Sequence, residues 1–298
     1  MPATIGFIGL GAMGLPMARN LVARGFTVAG FDVRAAAMES LAGAGGVRAG
    51  SAREASRGAD FLLLMVVNAA QAEQVLFVDG ALEALVPSGI VLLMATCPPG
   101  AVEALAARVL ESGRRFVDAP VSGGVVGATG ATLTIMAAAP QDTFSAAKPL
   151  LDALGNKVFH VGERPGQGAV VKTVNQLLCG VHIAAAAEAF SLAAKLGVDP
   201  RILLEILGGS SASSWMLKDR GPRMLQADPE ITSAVDIFVK DLGIVLEAGR
   251  EAKAALPLAA SAHQMFLATS GRGDGTADDS QVIRTYRALN GGPPPSGA

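Results

Sequence analysis

Seven short β-rich runs, separated by helical stretches, occupy the first 161 residues, and then the β-rich runs stop. They are Thr4–Ile8, Thr27–Asp32, Asp60–Val67, Gly89–Ala95, Arg115–Val117, Thr132–Ala138 and Lys157–Val161. Several are apolar throughout rather than alternating, the pattern of parallel strands covered on both faces. Between them the periodicity predicts helices such as Leu15–Arg24, Ala101–Glu111 and Gln141–Leu154. This alternation with short connectors predicts an α/β domain built on a doubly wound, Rossmann-type parallel sheet.

After Gly162-Glu-Arg-Pro-Gly166 no further strand is predicted. Residues 167–196 read as one long helix, followed by helices at 199–207, 214–226, 234–253, 257–269 and 279–289. Asp278-Asp279-Ser280 reads as the N-cap cluster of the last one. The chain's 298 residues accommodate two domains. The expected division is a sheet domain over 1–162, an all-helical domain over 163–290 and a Pro/Gly/Ser-rich, disordered tail over 291–298.

Half of the residues are hydrophobic and 17% are charged, so a large core is available. A net charge of −2 argues against nucleic acid or an anionic membrane surface as a partner. Cys97 and Cys179 match no metal-ligand spacing, and two cysteines make no disulfide framework; no metal is expected, and a reducing cytoplasm is. The longest apolar runs, such as Phe61–Val67 and Gly89–Ala95, are about seven residues, against the ~20 that span a bilayer. Residues 183–197 are interrupted by Glu188, Ser191 and Lys195, and the N-terminus lacks a basic n-region. A soluble protein is expected.

Gly9-Leu-Gly-Ala12-Met13-Gly14 follows the first strand and opens the first helix, the context that gives a GxGxxG pattern its meaning. Gly9 permits the tight turn, Gly11 lets the backbone approach a pyrophosphate, and Gly14 lets helix pack on strand. The helix N-terminus offers free N–H groups to the phosphates. Asp32 ends the second strand, 18 residues beyond Gly14. It fits either a carboxylate for the adenosine ribose diol, favouring NAD over NADP, or an ordinary N-cap. Arg34 beside it is a guanidinium that would suit a 2′-phosphate, so the choice stays open there.

Lys172 lies in Gly166-Gln-Gly-Ala-Val-Val-Lys172-Thr-Val-Asn175-Gln176, at the start of the long helix. It is either a snorkelling surface lysine or, facing a bound dinucleotide, an acid/base for hydride chemistry. Lys172, Asn175 and Gln176 fall at i, i+3 and i+4 and share one helix face, suited to the oxygens of a hydroxy acid. Working as a base near neutrality means lowering the lysine pKa from ~10.4 by about 4 kcal/mol, within the reach of desolvation. Asp118-Ala-Pro-Val-Ser122-Gly123-Gly124 follows a strand; its hydroxyl and amides read either as a carboxylate cradle or as a plain turn. His160 and His263 neighbour no motif, and His182 is nearly three turns from Lys172 on the same helix.

These motifs, in this order and with Phe238-Val-Lys240-Asp241, resemble the β-hydroxyacid dehydrogenase family over roughly residues 4–290. The resemblance implies NAD as cofactor, Lys172 as catalytic acid/base, and Ser122, Gly123 and Gly124 as anchors of the substrate carboxylate. It implies Asn175, and by its neighbouring position Gln176, as substrate contacts. Val67, Asn68, Thr96 and Lys240 would surround the nicotinamide half of the cofactor. Within the family, Val66-Val-Asn68-Ala-Ala-Gln71, Ser214-Trp-Met216 and Ser233-Ala-Val-Asp236-Ile-Phe are most similar to the branch that oxidises L-threonate at C2 to the 2-oxo acid. The family often has Asn-Asn where this chain has Asn175-Gln176, and many members carry an aromatic residue at Ser233. Ser233 and Asp236 are therefore the candidates for recognising a hydroxylated substrate. The alternatives are 3-hydroxyisobutyrate, or D-glycerate with tartronate semialdehyde. A catalytically silent dinucleotide-binding module is the reading from another class, and the presence of Lys172 argues against it. A homo-oligomer, dimer or tetramer, is expected.

Overall fold

The computed structural model describes residues 3–291, so the expected disordered tail lies, from residue 292 onward, outside the described residues. The chain forms two compact units, Met1–Lys172 and Thr173–Ala298.

The first unit is built on nine strands: β1 (Thr4–Ile8), β2 (Thr27–Phe31), β3 (Val47–Arg48), β4 (Phe61–Leu64), β5 (Ile90–Leu93), β6 (Arg115–Asp118), β7 (Val121–Ser122), β8 (Thr134–Ala138) and β9 (Lys157–Gly162). The order β3-β2-β1-β4-β5-β6 is parallel throughout, as in a doubly wound dinucleotide-binding sheet. Beyond β6 the sheet is mixed, which the expectation of a parallel sheet did not include. β8 runs antiparallel to both β6 and β7, and β9 pairs parallel to β8.

The continuous apolar runs are explained by two cores, one on each face. Leu63 and Leu92 join Ile5, Phe7, Met17 and Leu21 on one side. Their sequence neighbours Leu62, Leu64, Val91 and Leu93 join Phe116 and Leu105 on the other. Successive side chains of a strand point to opposite faces, so a strand buried on both must be apolar at every position.

The second unit contains the helices Pro200–Gly209, Trp215–Met224, Val235–Glu251, Pro257–Thr269 and Ile283–Leu289, together with most of the long helix Gln167–Lys195. Its core gathers Ile183, Phe190, Phe238, Leu242, Phe266 and Ile283, and Phe238 stacks on Phe266 with centroids 5.2 Å apart. Asp278 caps Ser280, as expected, and does more: Oδ2 accepts from the amide and hydroxyl of Thr232, and Oδ1 pairs with Arg223 Nε at 3.1 Å. The buried Asp279 holds Arg220 through two contacts of 2.9 and 2.8 Å.

The long helix corrects one expectation. No unbroken apolar run reaches membrane-spanning length, yet the 29-residue helix Gln167–Lys195 is long and apolar enough to cross a membrane, with a mean hydropathy of 1.7 over its most apolar window. Its interruptions are mainly uncharged residues, which break a run without lowering the mean much. Ile183, Ala184, Ala186, Ala187 and Phe190 of this helix are buried in the core of the second unit.

Candidate active site

In the first unit every expected cofactor residue leaves the carboxyl end of a strand. Gly9–Gly14 follows β1, Asp32 follows β2, Val67 and Asn68 follow β4, and Thr96 follows β5. The strand order reverses between β1 and β4, so the connections after them diverge to opposite faces and open the crevice in which such sheets bind ligands.

The three glycines of the first loop are required for different reasons. Gly9 has φ +92°, and a Cβ on it would lie 2.4 Å from the Met65 carbonyl oxygen. At Gly14 a Cβ would fall 1.8 Å from the Gly9 carbonyl oxygen, so the helix could not seat against the strand. At Gly11 a Cβ would meet nothing nearer than the mobile end of Arg34, at 3.7 Å. The protein itself does not demand glycine there, whereas a pyrophosphate lying against that backbone does. The helix Gly14–Ala23 begins with Met13 at its N-cap position and has no side-chain cap. Ala12 is exposed. Other helices, such as Ala35–Ala42 and Val235–Glu251, also start without a side-chain cap; here the uncapped start adjoins the glycine loop, an arrangement that suits an anion. These residues fit NAD.

Asp32 is 8% exposed. Its Oδ2 accepts from Leu10 N at 2.8 Å, and Oδ1 accepts from the amide and Nε of Arg34 at 2.9 and 3.1 Å. Burial pushes its pKa up, but these hydrogen bonds outweigh burial and hold the carboxyl below its usual range. The same contacts serve both readings of Asp32, ribose acceptor and local cap. Asn68 caps the helix Ala69–Glu73 by accepting from Gln71 N, while Gln71 Oε1 accepts from Val67 N, a reciprocal cap. Val67 is 48% exposed, and Thr96 is half-buried.

Ser122 ends β7 opposite Thr134. Gly123 and Gly124 follow with φ of +131° and +61°, conformations that side chains other than glycine rarely adopt. Their amides lead into the short helix Gly124–Thr129.

Lys172 is only 6% exposed, which removes the snorkelling reading. Asp118 opens the motif Asp118-Ala-Pro-Val-Ser122-Gly123-Gly124, and its partners lie far from it in sequence. Its carboxylate Oδ2 accepts from the amides of Gly166 and Ala169, both at 2.9 Å, at the start of the helix that carries Lys172. Burial pushes this carboxyl up to about 6, against the lowering effect of those amides and that of Gly168.

In the second unit, four side chains of the two motifs meet. Asn175 Nδ2 donates to Gln176 Oε1 at 2.9 Å and to Cys179 Sγ at 3.3 Å. Gln176 Nε2 donates to Asp241 Oδ2. Lys240 Nζ lies 2.8 Å from Asp241 Oδ1, an ion pair that lacks the direction of a hydrogen bond. For Asp241 the sequence signal is its place beside Lys240 in Phe238-Val-Lys240-Asp241. Gln176 is 6% exposed. Its extra methylene over asparagine is used to reach Asp241. Ser233 is half-buried, and its carbonyl accepts from Asp279 N at 2.7 Å. Asp236 is exposed, and its Oδ1 accepts from Ser270 Oγ at 2.6 Å.

Two of the three histidines have structural contacts. His160 stacks on Phe144 at 4.3 Å and meets the Ala139 carbonyl, and His263 meets the Val239 carbonyl. Among the described residues no group of three His, Cys, Asp or Glu could hold a metal ion.

Comparison with known proteins decides the family. Residues 4–162 match the NAD binding domain of 6-phosphogluconate dehydrogenase, and residues 166–286 match the NAD-binding domain of NADP-dependent 3-hydroxyisobutyrate dehydrogenase. An L-threonate dehydrogenase of Cupriavidus necator is 46% identical over 97% of this chain and 98% of its own. The chain belongs to the β-hydroxyacid dehydrogenase family. A second member of the family, an L-threonate dehydrogenase of Escherichia coli K12, is 38% identical over 96% of this chain and 95% of its own. The crystal structure of a 3-hydroxyisobutyrate dehydrogenase from Salmonella typhimurium superposes with a TM-score of 0.91 at 39% identity, covering 95% of this chain and 99% of that one. Like its family, this β-hydroxyacid dehydrogenase uses NAD, and the fold and loop described above are those of its cofactor domain.

Proposed function

We propose that this β-hydroxyacid dehydrogenase oxidises L-threonate at C2 to the 2-oxo acid, with Lys172 as the acid/base. Bound NAD supplies the hydride acceptor. The burial of Lys172 carries the reading: at 6% exposure it is enclosed by the fold, the setting in which lysines serve as bases, rather than held at the surface. Lys172 Nζ takes the proton of the C2 hydroxyl. Ser122 Oγ and the amides of Gly123 and Gly124 hold the carboxylate, and Asn175 holds the oxygen at C2. Gln176 acts by bracing Asp241 beside Lys240. Ser233 is the polar residue assigned to the C3 and C4 hydroxyls.

Identity of 46% to an L-threonate dehydrogenase supports this substrate. The name of the Salmonella structure favours 3-hydroxyisobutyrate instead. Measuring kcat/KM for both acids, with D-glycerate as a third, at saturating NAD separates the two readings. A site with polar groups for extra hydroxyls rejects analogues lacking them by up to ~10⁴-fold. L-Threonate is expected to lead, and a lead for 3-hydroxyisobutyrate overturns the assignment.

The same reading makes the protein a cytoplasmic homo-oligomer. Neither Cys97 nor Cys179 is in a disulfide. Leu192, Leu196, Ile202 and Ile206 are each more than half exposed, an apolar surface suited to a second copy. Sedimentation of a monomer at micromolar concentration would refute the oligomer.

A further inference from the structure

Where the helix that carries Lys172 begins, Gln167 N is met by the Arg164 carbonyl at 3.3 Å. Pro165 and Gly166, which precede it, have no side-chain acceptor, although the first four N–H groups of a helix have no partner inside it. The acceptor comes from 48 and 51 residues away: Asp118 Oδ2 lies 2.9 Å from both Gly166 N and Ala169 N. Asp118 is 1% exposed, and the groups that act on its charge are the amides of Ala169, Gly166 and Gly168. Gly168 makes the approach feasible, because a Cβ there would stand 2.5 Å from the Met136 carbonyl oxygen and 2.8 Å from that of Asp118.

A local serine or asparagine would satisfy those amides equally well, as Ser51, Asn68 and Ser214 do for their own helices. It would not tie the helix to the sheet. Asp118 does both, from the last position of β6, and Ser122 follows four residues later on the same stretch of chain. The first turn of the helix and the Ser122 loop are thereby registered to one strand end. Lys172 lies three residues past Ala169, within one turn of the anchored amides.

We propose that Asp118 is a positioning residue for Lys172: by capping the first turn of the helix it sets where the Lys172 amine is held relative to the carboxylate-binding loop. This rests on the reading of Lys172 as acid/base. A displacement of about 1 Å in a reacting group costs on the order of 10²-fold in rate, so the capping acceptor controls kcat without touching substrate.

The test uses Asp118→Asn, which keeps an oxygen acceptor but loses the charge, and Asp118→Leu, which keeps bulk and loses both. kcat is measured per NAD-binding site, titrated by fluorescence, with whichever of L-threonate, 3-hydroxyisobutyrate and D-glycerate the unmodified enzyme prefers. Amide hydrogen exchange of the cofactor-free protein is followed over residues 166–172. Asp118→Leu is expected to lower kcat per site about 10²-fold, with an unchanged KM for NAD and exchange accelerated in that segment alone. Asp118→Asn is expected to fall between it and the unmodified enzyme. Should the leucine variant not fold, Asp118→Asn decides: unaltered kcat per site and unaltered exchange overturn the proposal. Lost activity with an unchanged kcat per site also overturns it, since that is mere loss of folded molecules. Lys172→Ala is run in parallel. If it retains more than about a tenth of the activity, the reading of Lys172 has failed and not the capping geometry.

Discussion

The guanidinium of Arg34 folds back onto Asp32, with Nε 3.1 Å from Oδ1, while its Nη2 donates to the Leu10 carbonyl at 3.2 Å. Arg34 thus ties the carboxylate to the glycine loop and keeps it ionised, yet its own side chain is 62% exposed. Cofactor choice is expected to follow from this pair. Asp32→Ala removes a charged acceptor for the ribose, a change of about 1.5–3 kcal/mol or roughly ten- to a hundredfold in NAD affinity. It also frees Arg34 to face a 2′-phosphate. The ratio of kcat/KM for NAD to that for NADP is expected to fall by at least tenfold, and equal use of both cofactors by the unmodified enzyme would remove the basis of this assignment.

Lys172→Ala is expected to abolish turnover by 10²–10⁴-fold, the usual loss when general acid–base assistance is removed. NAD affinity, read by fluorescence titration, should stay within about threefold, since Lys172 is assigned to the substrate and the first loop and Asp32 to the cofactor. Lys172→Arg should rescue little, because a guanidinium stays protonated and cannot accept the hydroxyl proton.

Gly11 and Gly14 separate ligand from fold. Gly14→Ala forces a methyl into the space of the Gly9 carbonyl and should cost about 1–3 kcal/mol of stability. Gly11→Ala meets only the end of Arg34 and should keep the unfolding midpoint, with stability changed by less than about 0.5 kcal/mol. It should nonetheless weaken NAD binding more than Gly14→Ala weakens folding. Thermal unfolding with and without NAD reads both effects.

Asp118 carries a pH signature. Its pKa rises from 3.8 to about 6 on folding, chiefly through burial. The folded state therefore favours the protonated form. That contribution is complete below 3.8 and is lost as pH rises through about 6, on the order of 3 kcal/mol. Asp118→Asn should lack this loss and match or exceed the unmodified protein in denaturant midpoint at pH 7.5, while being slower in turnover. An asparagine variant that is much less stable at pH 7.5 than at pH 4.5 would contradict the account.

The fold was legible because its signals are local. Unbroken apolar runs such as Phe61–Leu64 report burial on two faces, and the spacing of Gly9, Gly11 and Gly14 reports a βα turn, each within a few neighbours along the chain. β3 and β7 were not legible, because two residues, Val47–Arg48 or Val121–Ser122, hold no period. Nor was the direction of β8 against β6, since alternation along a strand is the same read either way.

At the candidate site the residue types of the motifs determined which groups are present: a lysine, two amides on its helix face, a serine followed by two glycines. Their partners were decided by tertiary structure. Asp118 meets the long helix across 51 residues, Gln176 meets Asp241 across 65, and Asp236 turns to Ser270 across 34. Periodicity carries information over one or two turns of chain. The hydrogen bond that chooses a carboxylate's partner depends instead on which distant group burial brings within 3 Å, and that is set only once the cores have closed.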